Sequence, residues 1–388
     1  MSNVDNYMKD WTPKRIEEFR KVLLNWYDSQ SQSHQLPWRD TKNPYYIWVS
    51  EIMLQQTQVQ TVIPYFNRFI ETLPTIEDLA KADEGTLLSL WQGLGYYSRV
   101  RNMHKAAQQI MTQYDGQMPT TYKELIQLKG IGPYTAGAIA SIAFSEAEPA
   151  IDGNLMRVTA RMFEIDGDIT KAKTKRLFYD ILKRLIDPDR PGDFNQGMMD
   201  LGRTIMTPAN LTPELSPIKD FDRSYQNGTA HLYPVKKTKT KVTTHYYIAY
   251  VIMNHKGEWL MTKHDDGQLL TGLWHFPLIE QKAEVQEATS TELIEPLCDY
   301  LSPIVEEENA SYQIGTHQMS LFPSNLDFMF PSIKHVFSHR IWHVQIIPIQ
   351  VNDLTLQSAE YQWVNRQTID QYPYSTLQDK LFKAVDTL

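Results

Sequence analysis

The sequence predicts two folded parts, an all-α region over residues 1–230 and an α+β region over 245–388, and three observations predict them. Apolar residues recur at three- and four-residue intervals through the first part, the spacing of helices with one buried face. The stretch HLYPVKKTKTKV at 231–242 then breaks the pattern, with four lysines and no apolar core. Beyond it, aromatic and β-branched runs bounded by turn residues signal strands. Hydrophobic residues make up 42% and charged residues 22% of the 388, ordinary globular usage that can fill a core in each part.

Taken in order, Thr12-Pro13 reads as an N-cap followed by proline at the first helical position. Ile16, Phe19, Leu23 and Trp26/Tyr27 then form one apolar stripe. Further helical runs fall at 46–58, 60–72, 86–93, 99–113, 121–128, 134–144, 154–163, 171–186 and 194–206. Signals such as Leu73-Pro74 and Asp115-Gly116 separate them. Residues 231–244 form a basic linker, either a solvated connector or a strip that follows phosphates. In the second part, Tyr246–Met253 reads as a strand, Asn254–Gly257 as a turn and Trp259–Thr262 as its return. Ile341–Val351 is a further strand, with helices near 282–300 and 375–387.

Composition excludes several classes. No run approaches the ~20 apolar residues of a membrane helix. Residues 1–10 lack the apolar centre of a signal peptide, so the expected location is cytoplasmic. The single cysteine, Cys298, allows neither an internal disulfide nor a cysteine-built metal site. The net charge of −8 divides into −2 for residues 1–232 (26 Lys+Arg, 28 Asp+Glu) and −6 for the remainder. Charge alone therefore argues against nucleic acid. Binding it would require local patches and backbone amides.

The most specific local feature is Leu128-Lys129-Gly130-Ile131-Gly132-Pro133-Tyr134, set between a short helix and a small-residue helix within 121–143. Two glycines permit a tight turn, and Pro133 sits where a missing N–H costs nothing. The amides opening the second helix can bind an anion. The pattern reads either as an ordinary helix–helix turn or as a helix-hairpin-helix that grips a nucleic-acid backbone through Gly130 and Gly132. Twenty residues after Gly132, Asp152 follows an apolar run and precedes a helix, as an N-cap aspartate does.

At these residues the chain resembles the helix-hairpin-helix DNA glycosylase superfamily, which implies Asp152 as the catalytic carboxylate. In that superfamily's endonuclease III branch a Schiff-base lysine stands where this chain has Tyr134. Tyrosine cannot form that adduct, so the expectation is a monofunctional enzyme without true lyase activity. Three further segments resemble the MutY-type adenine DNA glycosylases. They are Leu36-Pro37-Trp38-Arg39-Asp40, the run from Pro44 through Glu51 to Val59, and Trp91 to Asn102. Together the resemblance spans most of 11–232.

By periodicity Glu51 is a lone acid in an apolar run, where burial would keep it protonated. The resemblance implies that Glu51 protonates adenine, that Asp152 stabilises the sugar cation and that Tyr134 hydrogen-bonds near Asp152. It further implies that Trp38, Arg39 and Gln196 line the adenine pocket. Gln56 would wedge into the stack, with Thr57, Leu94 and Tyr96 at the opposite base. The substrate expected is duplex DNA with adenine opposite 8-oxoguanine or guanine, and the default is a monomer.

The family's first domain usually closes on four cysteines that hold an iron–sulfur cluster. The matching positions here are Met206, Pro213, Ser216 and Asp222, which implies a cluster-free loop over 206–230. Hairpin carbonyls that converge on a monovalent cation would be the remaining inorganic site. Met156 stands where relatives often carry a basic residue.

Residues 245–388 resemble the family's Nudix-like C-terminal domain, through Leu273-Trp274-His275-Phe276-Pro277. The Glu-rich metal-binding helix of active Nudix enzymes is missing from 281–300, so no pyrophosphatase activity is expected. Read alone, Phe337-Ser338-His339 is a polar turn before a strand. The resemblance implies that it contacts 8-oxoguanine. Three alternatives stand beside the adenine glycosylase: an endonuclease III-like pyrimidine glycosylase, a non-catalytic DNA-binding protein, and a Nudix hydrolase with a helical extension. Tyr134, the pair Glu51 and Asp152, and the missing metal-binding helix count against them in turn.

Overall fold

The computed structural model describes residues 3–30, 35–209, 212–237, 241–264, 269–284, 290–302, 319–321, 331–351, 356, 358 and 360–387. Parts of the linker (238–240), of the expected loop (210–211) and of the helix expected near 282–300 (285–289) lie outside them. The chain divides into two compact units, Met1–Asp83 with Ser98–Lys239, and Glu84–Tyr97 with Thr240–Leu388. Residues 84–97, which fall inside the 1–230 region in sequence, thus group with the second unit.

The helices run α1 (Asn3–Tyr7), α2 (Pro13–Ser29), α3 (Pro44–Leu54), α4 (Val59–Thr72), α5 (Ile76–Lys81), α6 (Glu84–Trp91) and α7 (Ser98–Gln113). They continue as α8 (Tyr122–Leu125), α9 (Pro133–Phe144), α10 (Gly153–Phe163), α11 (Ala172–Leu185), α12 (Pro191–Thr204) and the single turn α13 (Arg223–Gln226). Thr12 caps α2 by accepting from Arg15 N at 3.3 Å, and Pro13 stands at its first turn, as the sequence predicts.

Helix α9 is the axis of the first unit. Its small residues, Thr135 to Ile142, are buried, and it packs against both α3 and α12. Glycine permits two close approaches. A Cβ on Gly137 would lie 2.5 Å from the carbonyl oxygen of Pro149, and one on Gly202 would lie 2.8 Å from Asn154 Cβ. The first presses α9 onto the segment leading to Asp152, and the second presses α12 onto the start of α10.

Among the described residues the second unit holds an eight-stranded mixed sheet of β1 (Thr243–Met253), β2 (Trp259–Lys263), β3 (Trp274–His275), β4 (Leu278–Gln281), β5 (Met319–Leu321), β6 (Ser332–Val336), β7 (Arg340–Val351) and β8 (Tyr361–Val364). The order is β3-β2-β1-β7-β5, with β4 on β1, β6 on β7 and β8 on β2. β1 and β7 are parallel from Thr243↔Arg340 to Met253↔Gln350, and the other pairs are antiparallel.

Helix α14 (Ser290–Leu301) covers one face, packing Leu293, Ile294, Leu297 and Leu301 on Ile248, Tyr250, Ile252 and Ile347. Its described start is eight residues later than the sequence suggests. Helix α15 (Thr376–Val385) sets Phe382 against Phe276 and Trp259. β3 falls within Leu273-Trp274-His275-Phe276-Pro277, the early strand motif of the resemblance, whereas the short strands β4, β6 and β8 were not read from the sequence.

Candidate active site

Helix α3 presents Glu51. Asn43 caps it by accepting from Tyr45 N at 2.9 Å, with Pro44 in the first turn. The helix stops at Leu54, four residues before the periodicity suggests. The guanidinium of Arg99 donates to the carbonyls of Ile52 (2.8 Å), Met53 (3.1 Å) and Gln55 (2.5 Å), groups that a helix C-terminus leaves without partners. Gln56 then turns into the left-handed region at φ 58° and is exposed, while Thr57 is half-buried.

Glu51 is only 7% exposed. Burial pushes its pKa up, the hydrogen bond from Tyr134 and the charge of Arg39 oppose this, and Asp152 adds to it. Tyr134, in the first turn of α9, donates its hydroxyl to Glu51 Oε2. Burial also pushes the phenol well up, so Tyr134 stays a neutral donor. Tyr134 therefore bonds to Glu51, with the Asp152 charge near enough to act on both groups. The bond goes to Glu51 because α9 packs on α3, whereas local donors engage the Asp152 oxygens.

Asp152 is the N-cap of α10. Oδ1 accepts from Leu155 N at 2.7 Å and Oδ2 from Asn154 Nδ2 at 2.6 Å. Burial raises its pKa, while these donors and Arg157 hold it back. The N-cap reading holds, and it leaves a half-buried carboxyl pinned at a helix start. Asn195, fully buried in α12, accepts from Ala150 N (3.1 Å) and donates to Glu148 O (2.9 Å) and Ser141 Oγ (2.8 Å), clamping the approach to Asp152.

Behind Glu51 lies a polar cluster. Arg39 donates through Nη1 to Tyr27 Oη (3.1 Å) and Gln196 Oε1 (2.9 Å), and through Nη2 to Asp200 Oδ1 (3.1 Å). Tyr27 donates its hydroxyl to the same Gln196 oxygen. Tyr27, Arg39 and Gln196 form one wall of a cavity of about 430 Å³, which Ser141, Ser145 and Asp193 also line. Trp38 is not among its lining residues. It is buried edge-on against Phe66, with ring centroids 5.3 Å apart.

The hairpin turns through Gly130 at φ 76°, where a Cβ would lie 2.6 Å from Asn102 Cβ. Gly132 caps α9, is exposed and has open space on its Cβ side.

In the second unit, β6 and β7 are joined by Phe337, Ser338 and His339, closed by Phe337 N donating to Arg340 O at 2.8 Å. Phe337 packs edge-on against Trp342, and Ser338 and His339 are exposed at the tip. Tyr96, at φ 50° and 44% exposed, shares a hydroxyl hydrogen bond with Ser338. Leu94 is buried. His335, beside Phe337, has its pKa pushed down to about 4 by burial and then by Lys380.

The positions matched to cluster ligands have other occupations. Met206 is fully buried, Pro213 opens a 3₁₀ turn, Ser216 Oγ accepts from Ile218 N at 3.3 Å, and Asp222 caps α13. Two arginines of α10 hold the segment. Arg157 donates to Met206 O (2.7 Å), Gly202 O (2.7 Å) and Asn154 Oδ1 (2.6 Å). Arg161 donates to Met206 O (2.8 Å), Thr207 O (3.1 Å), Ala230 O (3.2 Å) and Tyr233 O (3.1 Å). Burial pushes Arg161 down to about 10. Met156 is half-buried. Among the described residues no group of three or more His, Cys, Asp or Glu side chains could hold a metal ion, and no helix is long and apolar enough to cross a membrane.

Tyr27, Asn195, Asp200, Arg157 and Arg161 were not singled out from the sequence. A signal was present, since Gln196 and Asp200 are polar residues one turn apart on a helix otherwise rich in apolar and small residues. Polar groups on such a face are held by partners, but those partners come from distant helices.

A buried carboxyl on one helix, a capped carboxylate on another and a glycine hairpin between them define a helix-hairpin-helix protein joined to a Nudix-like domain. Residues 49–184 match the HhH-GPD superfamily of base excision DNA repair proteins, and residues 248–384 match the NUDIX domain. An adenine DNA glycosylase of Buchnera aphidicola is 35% identical over 272 residues, covering 70% of this chain and 78% of its own. The chain belongs to the MutY-type adenine DNA glycosylase family. An Arabidopsis thaliana relative of the same name is 37% identical over 88% of this chain, and one from Rattus norvegicus is 42% identical over 54%. The chain spans 59% and 42% of the length of those two relatives.

Proposed function

We propose that this chain is a monofunctional adenine DNA glycosylase that excises adenine paired with 8-oxoguanine or guanine in duplex DNA. One observation carries the reading: the buried carboxyl of Glu51, hydrogen-bonded by neutral Tyr134, in the same helical unit as the capped carboxylate Asp152. Adenine is a poor leaving group, so its ring must gain a proton as the glycosidic bond breaks. Glu51 supplies that proton to N7, and the C1′–N9 electron pair leaves with the base. Asp152 stabilises the sugar cation. Water then adds to C1′, and the proton it loses restores the acid. The adenine reaches these groups extruded from the stack, with exposed Gln56 as the wedge.

No amine stands at position 134, which supports hydrolysis without strand cleavage. Phe337, Ser338 and His339, with Tyr96 bonded to Ser338, are the proposed reader of the base opposite adenine. Met206, Pro213, Ser216 and Asp222 offer no thiolate, so they do not fit the family's iron–sulfur cluster, and the enzyme is proposed to work without one.

The test is a single-turnover assay of the full chain on duplexes with A:8-oxoguanine, A:G, or thymine glycol. The expected outcome is excision from the first two, no borohydride-trapped adduct, and loss of excision with retained DNA binding in Glu51→Gln and Asp152→Asn. Changing Ser338 and His339 together to alanine should narrow the preference for A:8-oxoguanine over A:G. Thymine-glycol excision with a trapped adduct would favour an endonuclease III-like enzyme instead.

A further inference from the structure

The turn that carries Tyr96 is held in a costly shape. Between α6 and α7 the chain runs Gln92-Gly93-Leu94-Gly95-Tyr96-Tyr97. Gly93 (φ 96°), Gly95 (φ 73°) and Tyr96 (φ 50°) all lie in the left-handed region. Glycine adopts it freely, whereas a tyrosine stays there only where its surroundings fix it. Crowding does not impose the turn. Tyr96 is 44% exposed, and a Cβ on Gly95 would have no atom within 4 Å.

Hydrogen bonds hold the turn, and a central one belongs to buried Tyr97. Its hydroxyl accepts from Gly93 N and donates to the Tyr374 carbonyl, each at 3.3 Å. Trp91 Nε1 donates to Gly95 O at 3.1 Å, and Leu94 N to Trp91 O at 3.0 Å. The Gln92 side chain also hydrogen-bonds Tyr374. Tyr374 is itself seated, bridged to Trp274 of β3 and packed edge-on against Phe382 of α15, with ring centroids 5.3 Å apart. Residues 84–97 belong to the same compact unit as these groups. The Tyr97 hydroxyl therefore ties the glycine turn to a fixed part of that unit. The turn ends at Tyr96, whose hydroxyl shares a hydrogen bond with Ser338.

We infer that Tyr97 is a positioning residue for discrimination of the base opposite adenine, because its hydroxyl holds the turn that aims Tyr96 at Ser338. Its own side chain is buried, so it acts through Tyr96. Without that hydroxyl, the Gly93 N–H and the Tyr374 carbonyl each lose a partner. Tyr96 then relaxes toward an ordinary backbone conformation and its hydroxyl leaves Ser338. Two hydroxyls set in place beforehand lose less freedom on meeting a base than two mobile ones. The loss therefore falls on discrimination, not on the chemistry at Glu51. The inference rests on the proposed reader of Ser338 and Tyr96 and adds what fixes its geometry.

The full chain is assayed in single turnover on duplexes with adenine opposite 8-oxoguanine or guanine, as wild type, Tyr97→Phe, Ser338→Ala and the double variant. Tyr97→Phe should narrow the 8-oxoguanine-to-guanine rate ratio by about threefold to tenfold, the worth of one neutral hydrogen bond. In the Ser338→Ala background the same change should narrow it no further, because the bond that Tyr97 sets up is already gone. A merely structural loss would lower both rates together and leave each ratio where it was. The ratio is taken within each variant, so a lower folded fraction cancels. An unchanged ratio in Tyr97→Phe, or an equal narrowing in both backgrounds, overturns the inference alone. A wild type that excises no adenine, or excises it without preferring 8-oxoguanine, overturns the reading beneath it.

Discussion

The hydroxyl of Tyr134 donates to Oε2 of Glu51, which joins the first turn of the hairpin's second helix to the proposed acid. That bond favours the carboxylate and so works against the upward push of burial on the Glu51 pKa. In Tyr134→Phe the opposing influence is lost and the pKa of Glu51 rises further. The basic limb of the excision–pH profile should move to higher pH, measured by single-turnover rates across pH 5 to 9. An unmoved limb would mean that another group sets it.

Glu51 also links stability to pH. Its pKa is higher in the folded protein than in the unfolded chain, so the folded state binds more protons once the unfolded carboxyl begins to ionise. Stability is fully present below the unfolded pKa and is lost as pH rises through the folded one. Glu51→Gln removes this loss. Its melting temperature should exceed that of wild type at pH 8 by a few degrees, with the gap closing at pH 4. An equal gap at both pH values would rule the linkage out.

Arg157 joins the carbonyls of Gly202 and Met206 to the amide that donates to Asp152. Replacing it with methionine keeps much of the apolar stem and strands the Gly202 carbonyl, at about 1–3 kcal/mol, while the Met206 carbonyl keeps Arg161. Arg157→Met should lower the unfolding free energy by roughly that amount in denaturant titration and slow adenine excision further than the folded fraction explains. A slope and midpoint like those of wild type would show the carbonyl finding another donor.

Gly137 faces the carbonyl of Pro149 so closely that a methyl group would sit 2.5 Å from it. Backbone cannot swing aside as a side chain can. Gly137→Ala should destabilise by about 1–3 kcal/mol, the range for overpacking. It should also slow excision by displacing the segment that carries Asp152. Normal excision from a destabilised variant would separate packing from catalysis.

Much of the fold was legible because its signals are local. The cap at Thr12, the glycines of the hairpin, and the break at the lysine-rich stretch all act within a few residues. The endpoint of α3 was not legible, because the group that stops it, Arg99, comes from α7. The sequence placed Asp152 at a helix start and Glu51 in an apolar run, and burial then decides their protonation. The bond from Tyr134 to Glu51, and the cluster of Tyr27, Arg39, Gln196 and Asp200, depend on helices more than 80 residues apart in sequence. Periodicity carries no information about such pairs.

The arginine anchors on residues 202–233 have a consequence for handling the protein. Guanidinium groups and peptide carbonyls neither oxidise in air nor exchange with chelators, and they are present as soon as the chain is synthesised. On the cluster-free reading proposed above, maturation of this segment needs no delivery machinery. Recovery from urea in aerated, chelator-treated buffer should be governed only by the chain's own amino acids.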